Sequence, residues 1–146
     1  MAANNTIAGS PALRVAAAAS VLAGLIHFMA VPEHRSEWQA AAVFFTVLGA
    51  FQIVWGVAAL NEDRRWILRF GVVVNVAVIL LWAISRTSGL PFGPDPGQAE
   101  DVDVLSVACV LAEVAVIAGT CVAVWNRSSD PSTDESAAGS ETVLSG

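Results

Sequence analysis

The chain contains no lysine and no tyrosine, and all seven of its basic residues are arginine. These arginines are scattered along the sequence and form no basic patch with interleaved aromatic residues. A nucleic-acid-binding domain requires a clustered positive surface, so this composition argues against nucleic acid as a partner. The net charge of −6 comes largely from four acids near the C-terminus, which form a solvated end rather than a binding face.

Cysteine is scarce as well, with two residues in 146. Cys109 and Cys121 are twelve positions apart in one apolar segment, which places them about 120° apart around a helix. That geometry excludes a disulfide between them. The sequence also lacks a Cys-x-x-Cys pair, a glycine-rich phosphate loop and a nucleophile elbow, so no known catalytic motif supports an enzyme.

Charged residues are absent from long stretches, and apolar residues fill them. The chain is 55% hydrophobic and 14% charged, with a mean hydropathy of +0.64. Four continuous apolar segments have about the 20 residues that a helix needs to cross a bilayer, and none alternates as a strand would. The predicted fold is therefore all-α, an integral membrane four-helix bundle. The predicted spans are Val15–Val31, Ala40–Leu60, Trp66–Ile84 and Val104–Trp125.

The uneven distribution of arginine predicts the orientation. A four-span arrangement places five arginines on one side and two on the other, and the positive-inside rule then places both termini in the cytoplasm of a plasma membrane. The five are Arg14, Arg64, Arg65, Arg69 and Arg127, against Arg35 and Arg86. We expect a disordered segment at 1–11, a transmembrane domain at 12–125 and a disordered acidic tail at 126–146.

Both histidines fall in the segment His27–Trp38, which we interpret as the tight turn between the first two spans, with Pro32 opening the second helix. Histidine and carboxylate at i and i+3 share one helix face, a spacing used by metal sites in helical bundles. The predicted outer ligand set comprises His27, Glu33, His34 and Glu37, which suits a transition metal. A hydrated turn without a ligand explains the same residues.

Three polar side chains lie deep in the predicted spans. Glu113 is near the middle of the fourth span, where a charged carboxylate costs at least about 2–3 kcal/mol. Gln52 and Asn75 lie at comparable depth, next to glycines that allow close helix approach. The three predict one buried cluster, with Ser20 as a further member. Either Glu113 binds a proton or cation there, or it is protonated and fixes the helix register.

A loop rich in proline and glycine follows the third span, and its composition excludes regular helix. Folded back over the bundle, it would carry acids toward His34 and Glu37, and Arg86 would pair with one of them or with a lipid phosphate. A structured cap without a ligand is the alternative. The polar residues of this predicted outer loop are Arg86, Asp95, Glu100, Asp101 and Asp103.

Two segments resemble a pattern found in small four-span membrane proteins of actinobacteria. The pattern comprises Pro32-Glu-His-x-x-Glu-Trp38, Phe44-Phe45 and Gln52, then Ser85-Arg-Thr-x-Gly-Leu-Pro-Phe-Gly-Pro94, Asp103 and Glu113. It covers roughly residues 20 to 120. That family carries no assigned activity, so the resemblance implies the four-span architecture and an actinobacterial plasma membrane but no substrate.

These observations favour a membrane-bound binding or accessory component with an outer polar site for a metal ion or small ligand. Three alternatives stay open: a small proton- or ion-coupled transporter that uses Glu113, a redox protein that binds haem through His27 and His34, and a structural subunit of a larger complex. The expected cofactor is a transition metal or haem. The expected partners are the lipid bilayer and either further copies of the chain or other membrane subunits.

Overall fold

The computed structural model describes residues 7–62 and 64–129, and within these ranges the chain is helical with no strand. All four helices are long and apolar enough to cross a membrane, which confirms the four predicted spans. They are α1 (Pro11–Glu37), α2 (Gln39–Asn61), α3 (Arg65–Thr87) and α4 (Val104–Ser128), preceded by a single 3-10 turn at Ile7–Gly9.

Two of the helices begin at a residue that caps their free backbone N–H groups. Ser10 precedes α1, and its hydroxyl accepts a hydrogen bond from the Leu13 N–H at 3.2 Å. Pro11 follows in the first helical position, where its missing N–H has no cost. Asp103 caps α4 in the same way, accepting from the Ser106 N–H at 2.9 Å.

The first helix continues through the segment that we interpreted as a turn, so that interpretation is wrong. Pro32 lies inside α1, and the chain turns instead at Trp38, whose backbone is extended. At 27 residues α1 is about 40 Å long, which exceeds the hydrocarbon thickness by about 10 Å. Pro32 lies just after the predicted span Val15–Val31, within the last two turns of the helix.

The helix ends also lie outside the predicted boundaries at both termini. Residues 7 to 11, which we expected to be disordered, form the 3-10 turn and the cap of α1, and Ile7 is buried against the bundle. Residues 126 to 128 continue α4 rather than opening the tail. The expectations for residues 1–6 and 130–146 lie outside the described residues.

Each helix packs against the next one in the chain, and α4 also packs against α1. The four helices therefore form a closed square. Glycines allow a close approach between α1 and α2. A Cβ built on Gly24 would lie 2.7 Å from the carbonyl oxygen of Gly49, and one on Gly49 would lie 2.8 Å from that of Gly24. Small residues at such a crossing let two helices pack backbone to backbone.

The two ends of the bundle differ in composition. We call the end with Trp38 and residues 88–103 the loop end, and the end with residues 7–11 and 126–129 the terminal end. Large apolar side chains close the terminal end, whereas the half nearer the loop end is packed with smaller residues around polar groups. The core residues of the terminal end are Ile7, Leu13, Ala16, Trp55, Ala59, Leu68, Val116 and Ala123.

Candidate metal centre

One buried polar cluster lies at mid-height in the bundle and receives a side chain from every helix. The exposed fraction is 5% for His27 on α1, 0% for Gln52 on α2 and Asn75 on α3, and 1% for Glu113 on α4. The sequence predicted three of these four to meet. The fourth, His27, was assigned to the outer set, and in the structure its ring points into the core.

Glu113 is the centre of this cluster. Its Oε1 lies 3.3 Å from His27 Nε2 and accepts a hydrogen bond from Gln52 Nε2 at 3.2 Å. The same Gln52 nitrogen lies 3.4 Å from Asn75 Oδ1. One carboxylate oxygen therefore joins three helices, which satisfies a polar group that would be costly to bury alone.

Cys109 adds a sulfur atom to the same place. Its Sγ lies 3.5 Å from His27 Nε2. Cys109 precedes Glu113 by four residues on α4, so the two side chains lie on one face of that helix. Within the described residues, His27, Cys109 and Glu113 each offer one ligand atom, and these three atoms lie within 4.8 Å of one another. Nitrogen, sulfur and oxygen ligands thus face a common point.

Two of the three spacings among these atoms suit a tetrahedral metal site. With Zn–N and Zn–O bonds of about 2.0–2.1 Å and a Zn–S bond of about 2.3 Å, neighbouring ligand atoms in a tetrahedron lie about 3.4–3.6 Å apart. The observed distances from His27 Nε2 are 3.3 Å to Glu113 Oε1 and 3.5 Å to Cys109 Sγ. The third pair, the Cys109 sulfur and the Glu113 oxygen, lies within 4.8 Å.

Outer contacts hold these groups in position. The Asn75 amide donates to the Gly71 carbonyl at 2.8 Å, and the Ser20 hydroxyl donates to the Gln52 carbonyl at 2.8 Å. One buried atom of the cluster has no hydrogen-bond partner: the side-chain oxygen Oε1 of Gln52. An unpaired acceptor beside a possible ligand set is a group that a cation or its bound water would satisfy.

The outer set that the sequence predicted is not assembled in the same way. Glu33 and Glu37 are exposed on the last turns of α1. His34 is half-buried, and its Nδ1 lies 2.9 Å from the Ala30 carbonyl oxygen. Ligation by these three residues together with His27 stays a prediction.

Phe45 packs against both imidazoles, and His27 Nε2 already faces Glu113 and Cys109, so the structure favours the core cluster over a haem held by two histidines.

The loop after α3 reaches the junction between α1 and α2, whereas the expected approach of its acids to His34 and Glu37 stays a prediction. Gly93 lies against the indole of Trp38, and the Phe92 ring centroid is 6.0 Å from that of Trp38. Arg86 forms the predicted ion pair, with Nη1 at 2.6 Å from Glu100. This loop therefore caps the corner between α1 and α2.

Asp103 joins the same group, 3.5 Å from Arg86 Nη2. The Ser106 N–H that donates to its carboxylate has the largest effect and lowers the pKa of Asp103 below its ordinary value of 3.8. Burial, the next largest effect, opposes this shift, and the Ser106 hydroxyl, the Leu105 N–H and the Arg86 charge each add a smaller lowering of the pKa. Asp95 and Asp101, the other predicted loop residues, are exposed to solvent.

Cys109 is the functional candidate that sequence reasoning missed. Cys109 lies four residues before Glu113, so the two share one face of α4, and that spacing was the available signal. The sequence could not show whether His27 lies at the level of Cys109 along the bundle axis, because that level depends on how far α1 is shifted along α4.

The chain matches no family model, no curated protein and no solved structure. The site geometry and the four-helix membrane architecture therefore carry the functional argument.

Proposed function

We propose that this protein is a multi-pass membrane protein that binds one transition metal ion in its core through His27 Nε2, Cys109 Sγ and the Glu113 carboxylate. The observation that carries the proposal is the pair of distances from His27 Nε2, 3.3 Å to oxygen and 3.5 Å to sulfur. No other group of three such residues in the described ranges comes within ligand distance.

The ligand set favours Zn²⁺. Imidazole, thiolate and carboxylate are all zinc ligands, and protein zinc sites are usually four-coordinate, which leaves one position for a further ligand beside these three. Metal binding would displace the proton of the Cys109 thiol, and the resulting thiolate and the Glu113 carboxylate would supply two negative charges that neutralise a divalent cation. That balance matters in a low-dielectric core, where an uncompensated charge would be strongly unfavourable.

Gln52 is the best candidate for the fourth ligand. Its carboxamide nitrogen lies 3.2 Å from the Glu113 oxygen, and its own oxygen has no partner. The two ends of a carboxamide are assigned from their hydrogen bonds, and a half-turn exchanges them. After that rotation Gln52 Oε1 would face the cation, and the side chain would lose its bond to Glu113.

This proposal makes the protein a binding component of the membrane rather than an enzyme. The supporting feature is the tight packing around the centre: all of its ligands are buried, and the bundle core at the terminal end is filled with apolar side chains. A buried closed site suits holding or transferring a metal ion more than turning over a substrate.

The test is metal analysis of the protein purified in mild detergent after loading with Zn²⁺ and removal of free metal. We expect about one ion per chain in the wild type and loss of the ion in Cys109→Ser. Cys121→Ser is the matched control, because Cys121 lies on the same helix but is exposed. His34→Ala distinguishes the core site from the outer set. A metal content that falls in His34→Ala but is unchanged in Cys109→Ser would refute the core site.

A second function is favoured by the buried pair of His27 and Glu113. Because a histidine and a carboxylate 3.3 Å apart can exchange a proton, the same cluster suits a proton-coupled carrier. Under this alternative the protein binds no stoichiometric metal, and Glu113→Gln abolishes proton-coupled transport in vesicles. Stoichiometric zinc at the centre would instead favour the metal-binding proposal.

We also propose that the loop end faces outward and that both termini are cytoplasmic, in a plasma membrane. The support is the arginine distribution, since Arg14, Arg64, Arg65 and Arg69 flank the terminal end. Labelling single cysteines in intact cells with a membrane-impermeant reagent tests it. A cysteine at Asp95 should react, and one at Glu62 should react only after the cells are broken; the reverse pattern would refute the orientation.

A further inference from the structure

The second histidine lies directly above the metal centre on the same helix. His34 follows His27 by seven residues, which is two helical turns and a rise of about 10.5 Å. Seven residues return a side chain to nearly the same direction around the helix, so both imidazoles project from one face of α1. His27 is buried, His34 is half-buried, and Glu33 beside it and Glu37 beyond it are exposed, so α1 carries potential ligands from the surface to the core.

The hydrogen bond of His34 prepares it to bind a cation. Its Nδ1 lies 2.9 Å from the Ala30 carbonyl oxygen, which can only accept, so Nδ1 carries the proton. In the neutral imidazole the lone pair is then on Nε2. Metal-binding histidines are commonly oriented in this way, with one nitrogen donating to a carbonyl and the other free for the metal.

A single aromatic ring contacts both histidines. The ring centroid of Phe45 on α2 lies 5.4 Å from that of His27 and 4.4 Å from that of His34. The phenyl ring therefore packs against both imidazoles. Phe45 is half-buried, and a rotation of its side chain would open a direct path from one imidazole to the other.

The charges at the two ends of the bundle favour passage from the loop end. The loop end presents more acids than arginines, and an excess of negative charge concentrates cations near a surface. The described charged residues there are Glu33, Glu37, Asp95, Glu100, Asp101 and Asp103, with Arg35 and Arg86. The terminal end is filled by the apolar core around Leu13, Leu68 and Val116, which contains no metal-ligating group.

We infer that the metal ion reaches the core centre from the loop end, binding first to His34 Nε2 and then passing the Phe45 ring to His27, Cys109 and Glu113. This inference rests on the proposed function and adds the direction and the residues of metal access. His34 acts on the rate of loading and is not a ligand of the final site. Phe45 limits both loading and release.

The test is the rate of Co²⁺ binding to the metal-free protein in detergent, followed by stopped-flow absorption of the cobalt–thiolate band. Removing a transient ligand that lowers the barrier by about 1.4 kcal/mol slows loading about tenfold. We therefore expect His34→Ala to load about tenfold more slowly than the wild type and to reach the same final stoichiometry. Phe45→Ala should load and release faster, with little change in the amount bound at saturation.

Phe51→Ala is the matched control for Phe45, because Phe51 is an aromatic residue of the same helix that packs against Phe70 instead of a histidine. Its loading rate should equal that of the wild type. Wild-type binding with unchanged rates in both His34→Ala and Phe45→Ala would overturn the access route and leave the core site standing. Absence of Co²⁺ binding in the wild type would overturn the proposed function and the route with it.

Discussion

Glu113→Gln separates the role of Glu113 in holding the bundle together from its role in binding metal. Glutamine has nearly the same shape as glutamate, and its oxygen, placed where Oε1 lies, can still accept from Gln52 Nε2 and from a protonated His27 Nε2. Hydrogen bonds between membrane helices contribute about 0.6 kcal/mol on average and at most about 1.7. The metal-free variant should therefore unfold within about 1 kcal/mol of the wild type.

Glu113→Leu is the contrasting variant, because it removes both contacts of the carboxylate, at 3.2 and 3.3 Å. Buried Gln52 and His27 then lose their shared partner, which should cost about 1–3 kcal/mol. Both values can be measured by titrating the protein from mild detergent into mixed micelles with sodium dodecyl sulfate and following helix content.

The stabilisation that bound metal gives to the wild type and to Glu113→Gln is the second measurement. At a free metal concentration of 100 times Kd, binding stabilises the folded wild type by about 2.7 kcal/mol. Glu113→Gln lacks the anionic ligand and should gain far less from the same metal, although its metal-free stability is close to normal. A variant that is stabilised by zinc as much as the wild type would show that the Glu113 carboxylate is not a metal ligand.

Two further predictions concern the helix packing and the helix cap around the site. Gly49→Ala places a methyl group 2.8 Å from the Gly24 carbonyl oxygen and should destabilise the bundle by about 1–3 kcal/mol in the same unfolding assay. Asp103→Ala removes the cap of α4 and should cost about 0.5–2 kcal/mol, whereas exposed Asp101→Ala should change stability by less than about 0.5. Because the Ser106 N–H lowers the pKa of Asp103, the stabilisation is complete above the ordinary value of 3.8 and is lost as pH falls through the lowered pKa. Wild type and Asp103→Ala should therefore converge in stability in acid; a constant difference would refute this.

The parts of the structure that depend on composition were predictable from the sequence. An apolar run of about 20 residues specifies a spanning helix by itself, because the bilayer requires every backbone group to be paired within the segment. Intramembrane Gln52, Asn75 and Glu113 were predictable as one cluster for a similar reason, since buried polar groups must find one another.

The parts that depend on packing between helices were not predictable in the same way. Pro32 ordinarily marks a helix boundary, but α1 continues past it for about one and a half turns. The meeting of His27 with Cys109 depends on the sliding of α1 along α4. Glycine contacts such as Gly24 against Gly49 set the position of α1 in the bundle, and no local pattern reports it.

In the proposed core site, one sulfur ligand, one imidazole and one carboxylate share a metal ion. X-ray absorption at the zinc edge of the loaded protein tests this ligand set most directly. We expect one Zn–S distance of about 2.3 Å, with nitrogen and oxygen ligands at about 2.0–2.1 Å and an imidazole scattering pattern. The sulfur should vanish in Cys109→Ser and persist in Cys121→Ser. Bound zinc surrounded by nitrogen and oxygen alone would contradict the core site.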